Sequence, residues 1–259
     1  MVKGLDLFRR RFASRGGGFV LIGGAACHAW FSRQALTFRA TKDLDLVIVV
    51  EVLGEDFLEA FRDFIEDGGY ETRERLDGTP ELHRFSAPTR PDFPFMIELF
   101  SRKPEGLELR AGQTVVPLAT TDAASLSAIL LDDDYYRTLQ DHAVLLDGLP
   151  VATTSVLLPL KARAWLDLVE RRSAGARVDQ RDIDKHRNDV FRLAALLPGD
   201  PVVLPSRVLA DVQRFLDAFP DDHASWPAIL AALGATFGRQ AFRPSALRGA
   251  IAGHYGLDS

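Results

Sequence analysis

Asp43 and Asp45 stand two residues apart at the mouth of LDLVIVVEV (residues 44–52), the run with the strongest β character in the chain. Alternation along a strand sends both side chains to one side, a few ångströms apart. Two carboxylates that close repel one another unless positive charge lies between them, and a divalent cation is the usual answer. Glu98 lies in IELF, between Ile97 and Leu99, so the pleat turns it away from both. A carboxylate flanked in this way within a buried strand is costly unless paired or metal-bound. Three carboxylates on neighbouring strands could hold Mg2+ (or Mn2+) against a triphosphate and support an in-line displacement. Gly23 and Gly24, just ahead of a helical run, would offer backbone N–H groups and close approach to phosphate oxygens. Each feature also has a plain structural reading. Asp-x-Asp is common at strand starts, Gly-Gly suits any tight turn, and Glu98 can pair with a core arginine such as Arg84.

These residues need elements to carry them. Residues 19–22 form a short apolar run stopped by the glycines, and residues 25–33 are good helix formers, which together read as strand, turn, helix. The nearly continuous apolar character of 44–52 predicts a central strand buried on both faces. A helical stripe at 57–65 closes on Gly68 and Gly69. Strands of weaker pattern follow at 70–75 and 81–86, a strong one at 93–101, and another weak one near 114–118. Past residue 120 the character changes. Residues 125–131 and 153–172 read as helical, with a short hairpin through Leu145, Leu146, Asp147 and Gly148 between them. Further helical patterns at 182–197, 206–219 and 226–233 are separated by breakers at 198–201 and 219–222. The expected fold class is α/β (α+β): a small mixed sheet with helices over 1–120, then a mainly helical region over 121–259.

Composition narrows the function. The 259 residues are 47% hydrophobic and 26% charged, enough for a sizeable core. A net charge of −5 argues against a generally basic nucleic-acid binder, although residues 161–192 are rich in Arg and Lys. Cys27 stands alone, so no intrachain disulfide can form, which fits a reducing cytosol. Residues 1–15 suit an amphipathic helix rather than a signal peptide, and no run approaches the ~18 apolar residues of a membrane span. The expectation is a cytoplasmic protein without a membrane partner. There is no P-loop, no G-x-S-x-G elbow and no Cys/His set with zinc spacing, so Cys27 and His28 read as packing residues. Asp132, Asp133 and Asp134 read as a solvated helix end.

The order Gly-Gly, then R-x-[S/T]-x-D-x-D on a strand, then a lone acid on a later strand resembles the DNA polymerase β-type nucleotidyltransferases. Within that superfamily the chain is most similar to the AbiEii/AbiGii toxin-like nucleotidyltransferases. The matching residues are Gly23, Gly24, Arg39, Thr41, Asp43, Asp45 and Glu98. The likeness continues into VLLPLKARAWLDLVERR, with Lys161 near the start of a helix, and KHRNDVFRL, with Asp189; it covers roughly residues 15–197. Two departures stand out: the superfamily has Gly-Ser where this chain has Gly23-Gly24, and His186 occupies a position that is often acidic in the toxin-like branch.

The resemblance implies a nucleotidyltransferase core, completed at its active-site cleft by the helical C-terminal domain. It implies Mg-dependent transfer of a nucleoside monophosphate from an NTP to an acceptor. Asp43, Asp45 and Glu98 would bind metal, with Glu98 also a candidate general base. Gly23, Gly24, Arg39, Thr41 and Lys161 would bind nucleotide, and Lys161 and Asp189 would join the catalytic set. It further implies a toxin–antitoxin or phage-defence setting, with tRNA or another RNA as acceptor and an antitoxin protein as partner. Plain readings stand beside these roles: a snorkelling surface Lys161, and an Asp189 paired with Lys185 at i−4. Two other functions share the pattern, a small-molecule (aminoglycoside-like) nucleotidyltransferase and a non-catalytic module that senses nucleotide or binds a partner.

Overall fold

The computed structural model describes residues 2–13, 18–74, 80–102, 115–118 and 126–258, with the backbone alone at 72–74, 80–82, 115–118 and 126–130. The chain divides into two compact units, one of Met1–Ala29 with Ala40–Ala152 and one of Trp30–Arg39 with Thr153–Ser259.

The first unit is built on a mixed sheet. Its strands are β1 (Phe19–Ile22), β2 (Asp43–Ile48), β3 (Glu71–Glu74), β4 (Pro80–Ser86), β5 (Met96–Ser101), β6 (Val115–Leu118), β7 (Leu126–Leu130), β8 (Ala143–Leu146) and β9 (Leu149–Ala152). The spatial order is β3-β4-β5-β2-β1-β9-β8, with β7 pairing β5 and β6. As the apolar run predicts, β2 is central, antiparallel to β1 and parallel to β5. Leu44, Leu46 and Ile48 pack on one face with Phe19, Leu21, Ile97 and Leu99, all buried. That face receives α1 (Leu5–Phe12) and α3 (Glu55–Gly68). Phe8, Phe12, Phe19, Phe57, Phe61 and Phe64 meet there in a cluster of edge-on, tilted and stacked rings. Burying each such ring stabilises the fold by roughly 2–3 kcal/mol before entropy is counted. The periodicity in EDFLEAFRDFIEDG is therefore the reason α3 lies where it does, and Gly69, left-handed at φ 59, ends it.

Three differences from the sequence reading have physical causes. Residues 126–130 form strand β7, not a helix, running parallel to β5 with Phe100↔Ile129 and Ser101↔Leu130 in register. The last described β4–β5 pair is Arg84↔Glu98. Beyond it the backbone of β5 still needs partners on that side, and β7 supplies them whatever the local helix propensity. Second, β2 ends at Ile48, and Val50–Val52 turn into a short 3-10 segment. There Tyr136 Oη accepts from Val50 N at 3.0 Å and donates to Glu51 Oε2 at 2.6 Å, while Arg102 Nε donates to Glu51 Oε1 at 2.6 Å. Third, the sheet unit extends to residue 152 rather than to about 120, because β7, α4 (Asp133–Asp141) and the β8–β9 hairpin belong to it.

The hairpin itself agrees with the sequence. Asp147 and Gly148 both have positive φ, 49 and 84, as a two-residue turn of the I′ kind requires. Asp132 caps α4 by accepting from Asp134 N at 3.0 Å, so the acidic triplet is a helix start.

The second unit is helical, as expected: α5 (Thr154–Ser173), α6 (Gln180–Ala194), α7 (Ser206–Asp217), α8 (Trp226–Phe237) and α9 (Pro244–Tyr255). Its core gathers Trp165, Phe191, Phe215, Phe219 and Trp226. Among the described residues no helix is long and apolar enough to cross a membrane.

Candidate active site

In the first unit the site starts from the second face of the sheet. Leu44 and Leu46 are fully buried, while Asp43 and Asp45 between and beside them are partly exposed. The parallel register sets Asp45 opposite Glu98 and Asp43 opposite Met96, so Asp43, Asp45 and Glu98 share one face, as alternation predicts. On the other side of β2, Ile22 is opposite Asp45, which brings the β1 end and its glycines to the aspartates.

The helix α2 (Gly23–Arg33) begins at the first glycine itself, two residues sooner than the sequence suggests. Gly23 is left-handed, φ +66, and a Cβ built on it would fall 1.7 Å from Asp45 Oδ2. A Cβ on Gly24 would fall 2.6 Å from Thr41 Oγ1. Both glycines are therefore required by close approach: the start of the helix is pressed against the Asp45 carboxylate and the Thr41 hydroxyl. No acidic side chain occupies the first turn of α2. The N–H groups of such a turn are suited to anionic oxygen.

Glu98 has a cationic partner across the sheet. It is the cross-strand neighbour of Arg84, which donates from Nε to Glu98 Oε1 at 2.6 Å, with its terminal nitrogen 2.5 Å from the same oxygen. Among the described residues, no three of His, Cys, Asp and Glu come together in a way that could hold a metal ion. The set that fits a hard, oxygen-seeking cation is Asp43 with Asp45: two carboxylates on one side of a strand end, beside a glycine turn with no room for a side chain. The sequence alternative that pairs Glu98 with Arg84 is the arrangement found.

In the second unit, Asp189 on α6 is fully buried and surrounded by cations. Arg39 Nε donates to its two oxygens at 3.1 and 3.0 Å, and an Arg39 terminal nitrogen donates to Oδ2 at 2.7 Å. Arg192 donates to Oδ1 at 3.0 Å, and Lys161 Nζ lies 3.9 Å from Oδ2. Burial alone would raise the Asp189 pKa; Lys161, Arg39 and Arg192 outweigh it and hold the carboxyl below its ordinary value. Lys185 pairs with Asp182 at 3.7 Å, so the helix contact considered for Asp189 is not the one made. Nor does Lys161 snorkel: it is only 6% exposed.

Sequence reasoning missed Arg192 as a member of this cluster, although it stands three residues after Asp189 on the same helix. It also gave His186 no role. The ring of His186 has its Nδ1 buried without a hydrogen-bond partner. Its pKa is lowered to about 3, first by burial and then by the cations Lys161, Lys185 and Arg39, against the opposing effect of Asp189. Cys27 is fully buried, in keeping with its reading as a packing residue.

No protein-family model matches this chain. No curated protein matches it either. Among solved structures, it is similar to an antigenic nucleotidyltransferase-like protein from Paracoccidioides brasiliensis, at 15% identity and a TM-score of 0.41, over 89% of this chain and 90% of that one.

Proposed function

We propose that the chain is a divalent-metal-dependent nucleotidyltransferase that moves a nucleoside monophosphate from an NTP to an acceptor. The observation that carries this reading is the seating of Asp45 against Gly23, where even a methyl group would occupy the place of the carboxylate oxygen. Asp43 and Asp45 would hold Mg2+ or Mn2+, which when bound polarises phosphoryl oxygen and stabilises the departing pyrophosphate. Gly23, Gly24 and Thr41 would receive phosphate oxygens, and Arg39 and Lys161 would supply positive charge to the triphosphate. Asp189 acts as a positioning residue that fixes those cations. Glu98 serves by orienting Arg84 on the acidic face rather than as a third metal ligand.

The acceptor we favour is RNA, tRNA included. The end of α5, the turn after it and the start of α6 expose Arg171, Arg172, Arg177 and Arg181 despite the acidic balance of the whole chain. A toxin–antitoxin or phage-defence role, with an antitoxin partner, rests on the sequence resemblance. The test is incubation with each α-32P-labelled NTP, Mg2+ or Mn2+, and a total extract of RNA and protein, comparing wild type with Asp45→Asn. Label entering RNA with the wild type alone supports the reading. Label entering an aminoglycoside-like compound instead moves the acceptor to small molecules, and no metal-dependent label in any acceptor refutes transfer.

One observation favours a second reading, a module that binds nucleotide without turnover. The Glu98 carboxylate is occupied by Arg84, so the face presents two acids rather than three. Calorimetry with NTP and Mg2+ separates the two: tight binding with no pyrophosphate release identifies the sensor.

A further inference from the structure

Lys161 and His186 are the two polar groups of the Asp189 cluster that the protein leaves without a hydrogen bond. The ammonium of Lys161 has three protons to donate and lies in a residue only 6% exposed. Its nearest anionic oxygen is Asp189 Oδ2 at 3.9 Å, beyond hydrogen-bonding distance. The oxygens of Asp189 are already taken by Arg39 and Arg192. His186, one turn before Asp189 on α6, buries Nδ1 with no partner. A buried nitrogen like His186 Nδ1 is costly inside a protein unless a ligand satisfies it.

We infer that Lys161 and His186 bind one phosphoryl group together, the ammonium supplying charge and the neutral imidazole donating an Nδ1–H hydrogen bond to a phosphate oxygen. The chemistry selects this class. A cation is repelled by Lys161, Arg39 and Arg192. An uncharged ligand would leave three cations, Lys161, Arg39 and Arg192, sharing the single negative charge of Asp189. A phosphate accepts from both donors at once. The ring is neutral near pH 7, since burial and the adjacent ammonium disfavour its protonation, so it adds direction rather than charge. The inference deepens the proposed function, and rests on it only for the statement that the phosphate belongs to a nucleotide.

The experiment is titration calorimetry of the full chain with sodium tripolyphosphate and, separately, with ATP in the absence of metal. Wild type is compared with His186→Ala, His186→Asn, His186→Asp and Lys161→Met, each checked by thermal melting. His186→Ala is expected to weaken tripolyphosphate binding about tenfold or more. His186→Asn, whose amide nitrogen stands where Nδ1 stood, recovers most of that loss. His186→Asp weakens binding by about a hundredfold through repulsion, and Lys161→Met does likewise. The inference is overturned if wild type does not bind tripolyphosphate, if His186→Ala binds as tightly as wild type, or if His186→Asn is no better than His186→Ala. Its failure is distinct from that of the proposed function: tripolyphosphate binding that needs His186, without transfer to any acceptor, sinks the transferase and keeps the phosphate site. Transfer that is unchanged in His186→Ala does the reverse.

Discussion

Replacing Gly23 by alanine tests whether the glycine turn serves the aspartates or only the fold. A left-handed φ of +66 costs an alanine about 1–2 kcal/mol, and that part of the effect is on stability. The new Cβ would also lie 1.7 Å from Asp45 Oδ2, where real contacts stay beyond about 3.0 Å. The atom that gives way is the end of a short side chain rather than backbone, so the fold yields cheaply, but the carboxylate must retreat by at least about 1.3 Å. A displacement of about 1 Å at a reacting centre lowers rates on the order of a hundredfold. Gly23→Ala is therefore expected to melt lower by an amount equivalent to about 1–2 kcal/mol while losing roughly a hundredfold or more in pyrophosphate release, with weaker Mn2+ binding by calorimetry. Gly24→Ala has an ordinary φ and meets the Thr41 hydroxyl at 2.6 Å, so its loss is expected to be nearer tenfold. A Gly23→Ala protein that melts lower but turns over at the wild-type rate would show that the turn has no part in placing Asp45.

The remaining expectations concern charge and helix content. Asp189→Asn removes the shared counter-ion of Arg39, Arg192 and Lys161 and should destabilise the protein by about 3 kcal/mol or more in urea unfolding; a loss under about 1 kcal/mol would mean the cluster is solvated. The folded-state pKa of His186, about 3, lies below its unfolded value of 6.5, so the unfolded chain binds the proton that the folded one refuses. Its contribution is complete above about pH 6.5 and is lost as pH falls towards 3, at up to about 1.4 kcal/mol per unit, and His186→Asn should flatten that slope in melts taken across the range. With its carboxylate held by Arg84, Glu98→Gln should reduce Mn2+ affinity less than Asp45→Asn does; equal losses would restore Glu98 as a metal ligand. Gly249 and Gly253 lie inside α9 with open space where a Cβ would go, so alanine at either should raise stability by about 0.5–1 kcal/mol, read as a higher melting temperature.

The elements that were legible in the chain are those whose pattern and packing agree. In β2 the β-branched run and its burial on both sides give the same answer, and in α3 the stripe of phenylalanines needs the sheet face that it finds. Asp147-Gly148 could be read as a hairpin because two successive positive φ values demand such residues. Strand β7 could not be read this way. Its residues, Leu126 to Leu130, are ordinary helix formers, and what makes them a strand is the unpaired stretch of β5 at Phe100 and Ser101, more than twenty residues earlier in the chain. The same holds for the 3-10 turn after β2, whose sequence continues the β pattern while Tyr136 and Arg102 draw Glu51 aside.

The candidate site divides along the same line. Which side of the sheet a residue faces follows from period two, and Asp43, Asp45 and Glu98 do share a face. Which partner a charge takes depends on what stands across the neighbouring strand or helix, and local spacing carries no record of it. Glu98 has Asp45 on one side and Arg84 on the other, and the guanidinium, able to offer two nitrogens to one carboxylate, takes it. Arg39 stands four residues before Asp43, yet its guanidinium grips Asp189, 150 positions away, with both oxygens engaged. A motif read as one string, Arg39-x-Thr41-x-Asp43-x-Asp45, thus has its arginine anchored in the helical unit and its aspartates in the sheet unit. Each unit holds its charged residues by a network of its own: in the sheet unit a glycine turn that leaves room for a carboxylate, in the helical unit a buried aspartate that fixes three cations. Asp189→Asn should therefore weaken phosphate binding without altering Mn2+ binding; an equal loss of both affinities would make the two networks one.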